Sequence, residues 1–188
     1  MLILLVGGRV TPSFTHNWLA RAGPAKRPTP FGKLDGVVLA FSALALVAST
    51  RTPYSAVTGL LALAAGSGNL IRLSRWGGLV ARGDALVLVL HAGYGLAALG
   101  FLVTGVAAIG PGAVPYDAGL HVWAVGAAGL MTLAMMTRAT LGHSGQPLIA
   151  SSATKAAYAL LVAALALRIA LFLLPRLQTI LLHAAEVG

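Results

Sequence analysis

Five histidines and no cysteine set the chemistry open to this chain. Without thiolates there is no disulfide, iron–sulfur cluster, cysteine zinc site or covalently attached c-type haem. A metal or haem must be held by histidine, methionine, tyrosine or carboxylate, and imidazole serves both haem iron and copper. His91 and His121 lie within long apolar runs and His143 just beyond one, whereas His16 and His183 lie near interfaces or ends. Tyr94 follows His91 by three residues and so shares its helical face. A non-covalent b-type haem needs one or two inward imidazoles and favours arginine near its propionates. That makes Arg138, five residues before His143, a candidate beside His91, His121, His143 and Tyr94. Ionisable groups inside hydrocarbon are expensive, so each needs a reason. A buried histidine can equally hydrogen-bond a neighbouring helix, and Arg138 and Arg168 can snorkel to the membrane surface. Met131, Met135 and Met136 read as packing, and Trp18, Trp76 and Trp123 as interfacial anchors. No nucleophile–base pair, phosphate-cradling loop or zinc protease motif is present, and Gly7-Gly8-Arg9 is too short for a nucleotide loop. Asp84 and Asp117 sit at span ends, where a carboxylate is as readily a helix cap as an acid.

The elements that must position these residues follow from composition. Of 188 residues, 58% are hydrophobic and only 9% charged, with a mean hydropathy of +0.88. Soluble domains carry about 25% charged residues. The bilayer is the solvent that suits this chain, and long unbroken apolar runs mean helices rather than barrel strands. The expected fold is all-α, a single polytopic transmembrane bundle over residues 1–188. Five spans are expected at about 36–49, 54–71, 85–109, 118–137 and 152–174, with partial helices at the ends. Residues 1–6 are too short to cross, since a span takes about 20 residues. Residues 7–35, with Pro12, Pro24, Pro28 and Pro30, are expected as a cytoplasmic loop. Beyond Pro175, Leu177 to Ala185 begins another segment.

The net charge of +9 points to anionic lipid rather than nucleic acid, because Lys and Arg sit at the ends of apolar runs. Arg9, Arg21, Lys26, Arg27, Lys33, Arg72, Arg75, Arg82, Arg138 and Lys155 fall in loops on one side, and Arg51 alone on the other. The excess of positive charge places the first side in the cytoplasm. His91 and His143 then lie on the same side and can share one site. His121 is expected roughly 20 Å away from His91 in depth, at 1.5 Å per residue. Gly93, Ala97 and Gly100 form a small-residue face suited to close helix packing.

Three blocks carry a family resemblance: VGGRVTPSFTHNWL (Val6–Leu19), HAGYGLAALG (His91–Gly100) and HVWAVGAAGLMTLAMMTRATLGHSGQPL (His121–Leu148). Their order and length resemble the NnrS family. Position 16 is His where the family loop has Arg. The chain is shorter than family members and resembles their C-terminal half, starting inside a helix. The resemblance implies a multi-pass protein of the bacterial cytoplasmic membrane that binds haem and possibly copper. It also implies a role in nitric oxide metabolism, the context of denitrification and nitrosative-stress defence. His91, His121 and His143 are the family-type histidines, with Arg9 and Arg138 in the same blocks, and nitric oxide is the implied small-molecule ligand. The residues alone also admit a di-haem, cytochrome b-like electron-transfer bundle, a cofactor-free membrane subunit or a truncated fragment.

Overall fold

Six long helices account for most of the described residues, which in this computed structural model are 1–23, 27–110 and 112–173. They are α1 (Leu2–Ala22), α2 (Lys33–Arg51), α3 (Ala56–Ser74), α4 (Ala85–Ile109), α5 (Tyr116–His143) and α6 (Ser152–Leu173). A short 3₁₀ turn, Val80–Gly83, leads into α4, and α5 is π-helical over Val122–Gly129. No strand occurs among the described residues. Helices α2 to α6 are each long and apolar enough to cross a bilayer. The protein is therefore an all-α, multi-pass membrane protein. The segment expected from Leu177 to Ala185, with His183 and Pro175, lies outside the described residues, as do Pro24, Lys26 and position 174.

The starts of the spanning helices are written locally. Asp35 accepts from the Gly32 amide at 2.9 Å, closing the first turn of α2. Ser55 accepts from Thr58 N at 3.1 Å to start α3. Asp84 accepts from the amides of Leu86 and Val87 at 2.8 and 3.3 Å, so it is the cap of α4. Such side chains satisfy amides that have no partner in the first helical turn.

Helix α4 is the hub, packing against α1, α3 and α5, while α2 lies on α3 and α6 on α5. The outer helices carry apolar side chains on the surface: Val37, Phe41, Leu44 and Val47 on α2, and Leu160, Val162 and Leu167 on α6. In water these stripes would be a liability, whereas in lipid they are the solvated face. Inside, small residues let backbones approach. Gly93 faces Met131 and Gly100 faces the Trp123 indole, whose Nε1 donates to Ala97 O at 3.0 Å. Trp123 is thus half-buried between α5 and α4 and is not a free interfacial anchor.

One expectation fails in large part. Residues 7–22 are helix rather than loop, residues 1–6 are not an isolated partial span, and of the expected loop only 23 and 27–32 are non-helical among the described residues. Helix α1 runs unbroken from Leu2 through Pro12 to Ala22. A proline inside a helix costs about 3 kcal/mol, through a lost backbone bond and a clash with the carbonyl four residues back. Here that residue is Gly8, and tertiary packing offsets the cost. Leu4, Gly7, Gly8, Thr11, Thr15 and Leu19 are all buried along one face. That stripe has helical spacing but is made of small and polar residues, so hydropathy alone does not reveal it.

Candidate functional site

Contacts between helix ends gather most of the basic residues at one end of the bundle, with Arg51 and Arg168 elsewhere. At that end the C-terminal parts of α1, α3 and α5 meet the N-terminal parts of α2, α4 and α6. His91 sits in the second turn of α4 and is 7% exposed. Its Nε2 lies 2.9 Å from Thr15 Oγ1 on α1. Thr15 has one hydroxyl proton, and that proton goes to Thr11 O at 2.7 Å. Thr15 must therefore accept from His91, which puts the ring proton on Nε2. His91 Nδ1 is left with its lone pair, buried and without a hydrogen-bond partner. Gly78 covers the ring: a Cβ at that position would stand 2.8 Å from Nδ1. Replacing Thr15 with valine removes the acceptor at constant shape. The expected loss is about 1–3 kcal/mol, the cost of an unsatisfied buried N–H. Equilibrium unfolding in mixed micelles measures it, and wild-type stability in Thr15→Val would refute the tautomer assignment.

One turn further along α4, Tyr94 enters a closed polar network in the protein interior. Its hydroxyl donates to Asn69 Oδ1 at 2.6 Å and accepts from Arg72 Nη1. Arg72 is 1% exposed, and its Nε donates to Asp35 Oδ1 at 2.8 Å. Arg75 Nη1 reaches Asp35 Oδ2 at 3.3 Å. Asn69 Nδ2 donates to Ser42 Oγ and to Ala65 O, and Ser42 donates to Val38 O. Trp76 stands edge-on to Tyr94 at 4.7 Å between ring centroids. Arg72 is thus not a loop cation, and Trp76, 2% exposed, is not an interfacial anchor. Both are drawn inward because Asp35, Asn69 and Tyr94 satisfy the guanidinium. Gly7 and Gly8 acquire a role here. A Cβ at Gly8 would lie 2.7 Å from Arg72 Nη2, and one at Gly7 would lie 2.6 Å from Met131 Cε.

An open cleft of about 550 Å³ lies beside this network, between α1 and the Arg27–Phe31 segment. Arg9 and Arg27 supply positive charge, His16 a polar ring, Pro12 and Phe31 apolar wall, and Asp35 and Trp76 also line it. The segment is pinned by Thr29 N donating to Arg75 O at 3.2 Å. This volume falls within the range of small-molecule and cofactor sites.

The other expected site residues lie elsewhere. His121, at the start of α5, follows Gly119, which packs on Thr104 near the far end of α4. Thr104 is thirteen residues from His91, or about 20 Å along the helix. Arg168 Nε donates to His121 Nε2 at 3.2 Å, and His121 Nδ1 donates to Asp117 O at 2.8 Å. Both imidazole nitrogens are engaged, and Arg168, which could have snorkelled alone, has this partner. His143 is the last residue of α5 and is exposed. Arg138 is 8% exposed, with its guanidinium 4.0 Å from the centre of the Phe14 ring. It packs inward against α1 by a cation–π contact and does not snorkel outward.

The three histidines do not converge, and no group of three or more His, Cys, Asp or Glu suited to a metal occurs among the described residues. Sequence reasoning missed Thr15, Asp35, Asn69 and Arg72. Two signals pointed to them. Asp35 is one of four acidic residues in the chain, and Asn69 is an amide inside an apolar run with Arg72 three residues on.

A family model described as NnrS protein matches residues 1–188. No curated protein and no solved structure gives a significant match. The family match runs the full length of the chain and includes α1, His91 and the Arg72 network. On that match, together with the helical membrane fold, the protein belongs to the NnrS family.

Proposed function

We propose that this protein is a haem- and copper-associated membrane protein of nitric oxide metabolism or nitrosative-stress defence. Its basic end faces the cytoplasm across the bacterial inner membrane. The observation that carries the reading is the His91 imidazole. Its Nδ1 lone pair is buried and uncommitted, while Thr15 holds Nε2. A metal-ligating imidazole needs this division of labour, one nitrogen anchored and the other free. The residues present therefore fit a group held by one histidine, provided that Gly78, which lies over Nδ1, gives way to admit it. They fit less well a site shared by His91, His121 and His143.

When bound, haem or copper supplies a redox-active centre that takes a small neutral ligand such as nitric oxide. The chain's residues supply the rest. His91 offers the ligating nitrogen. Arg9 and Arg27 in the neighbouring cleft offer positive charge for carboxylates such as haem propionates. Tyr94 has its hydroxyl committed to Asn69 and Arg72, so its part is to hold the wall of the site in place. His121 reaches a metal only if Arg168 gives way. The di-haem electron-transfer alternative requires further free imidazoles, and the pairing of His121 with Arg168 disfavours it.

The test is an absorption spectrum with metal analysis of the purified chain. A Soret band is expected, lost in His91→Ala and retained in His121→Ala. A band that survives His91→Ala, or protein with neither haem nor copper, would overturn the reading in favour of a cofactor-free subunit.

A further inference from the structure

Apart from the cleft beside the Arg72 network, and sharing no residue with it, two hollows meet at Ala85 and Lys155, which line both. The first, about 410 Å³, lies at the basic end and is bordered by Trp18, Arg21, Asp84 and Lys155. The second, about 480 Å³, is a groove between α4 and α6. Its walls are apolar, including Leu88, Ala92, Val162 and Ala163. Through the shared Ala85 and Lys155 the polar hollow adjoins the apolar groove, which runs along the spanning helices α4 and α6.

The charge balance selects the occupant. The Asp84 carboxylate is committed to the Leu86 and Val87 amides at the start of α4. Arg21 and Lys155 make no ion pair among the described residues. With two cations against the one Asp84 carboxylate, the polar hollow keeps a net positive charge beside an indole, the combination that favours anionic headgroups at a bilayer surface. Tyr158, one helical turn beyond Lys155, lines the groove, and its hydroxyl has no partner.

We infer that these adjoining hollows bind one anionic phospholipid, with its phosphate between Arg21 and Lys155 and one acyl chain along the α4–α6 groove. A zwitterionic headgroup brings a compensating cation to the same place and binds less well. Free phosphate matches the cations but leaves the groove empty. None of the residues that carry the argument belongs to the His91 site, so this inference stands apart from the proposed function.

The experiment is native mass spectrometry of the full chain in neutral detergent, titrated with phosphatidylglycerol or phosphatidylcholine. Phosphatidylglycerol is expected to bind at tenfold or more lower concentration. The Arg21→Ala/Lys155→Ala double variant should lose that preference, and Arg51→Ala, at the opposite end of the bundle, should keep it. Ala163→Trp, which fills the groove from its exposed side, should weaken both lipids. Arg21, Lys155 and Ala163 are all exposed, so these changes leave the core intact. Equal binding of the two lipids by the wild type would overturn the inference. So would full binding in the double variant or in Ala163→Trp, loss of preference in Arg51→Ala, or displacement of the lipid by millimolar inorganic phosphate.

Discussion

Arg72→Ala is expected to destabilise the bundle by about 3–5 kcal/mol, the cost of stripping one partner from a buried ion pair. The change leaves the Asp35 carboxylate, itself 2% exposed, with only the Gly32 amide and the more distant Arg75. Tyr94 loses a donor, and Asn69 Oδ1 loses one of its two. The pair itself contributes less than this figure, because burying both charges is also costly. The double variant Arg72→Met/Asp35→Leu should therefore recover most of the loss. Unfolding followed by tryptophan fluorescence suits the test, since the guanidinium lies 5.6 Å from the Trp76 ring. An Arg72→Ala protein within 1 kcal/mol of wild type (about a fivefold change in the folding equilibrium) would mean that the network is not closed.

Gly66→Leu is expected to part α3 from α4, one of the two most extensive helix contacts in the bundle. A Cβ at Gly66 would stand 2.9 Å from Ala98 O and 2.7 Å from Leu102 Cγ. One turn pair away, Gly59 and Gly105 each face the other's carbonyl oxygen at 3.0 Å from the same construction. Backbone therefore meets backbone along this seam, and a backbone cannot rotate aside as a long side chain can. Overpacking of this kind costs typically about 1–3 kcal/mol. Gly66→Leu should lie at the top of that range, because the displaced helices also carry Asn69 and Arg72 away from Tyr94. Gly66→Ala should act in the same direction and less strongly. A thermal midpoint in detergent unchanged by Gly66→Leu would show that the seam is looser than described.

These two changes mark where the sequence is legible and where it is not. The apolar runs announce the membrane helices because the length and hydropathy of a span are local properties. Asp84 was readable as a cap for the same reason, since a cap serves the amides next to it. Helix α1 was not readable. Pro12 and the polar residues Arg9, His16 and Asn17 argue for a loop until the buried stripe from Leu4 to Leu19 is seen against α4. Arg72 looked like one more positive charge in a loop. Its removal from solvent depends on Asp35, 37 residues away in sequence, and on Tyr94, 22 residues away.

The sequence by itself determined that the chain is helical, lies in a bilayer and has no thiol chemistry. It also singled out His91 and Tyr94 as residues worth attention. Only the tertiary structure decided what they do. It placed Thr15 Oγ1 against His91 Nε2, left Nδ1 without a partner, and set Arg168 against His121. It also sank a guanidinium and a carboxylate together beneath a basic cleft. The physical reason is the same in each case. In hydrocarbon a polar group must find a partner, and which partner it finds depends on helices that meet only when the bundle is packed.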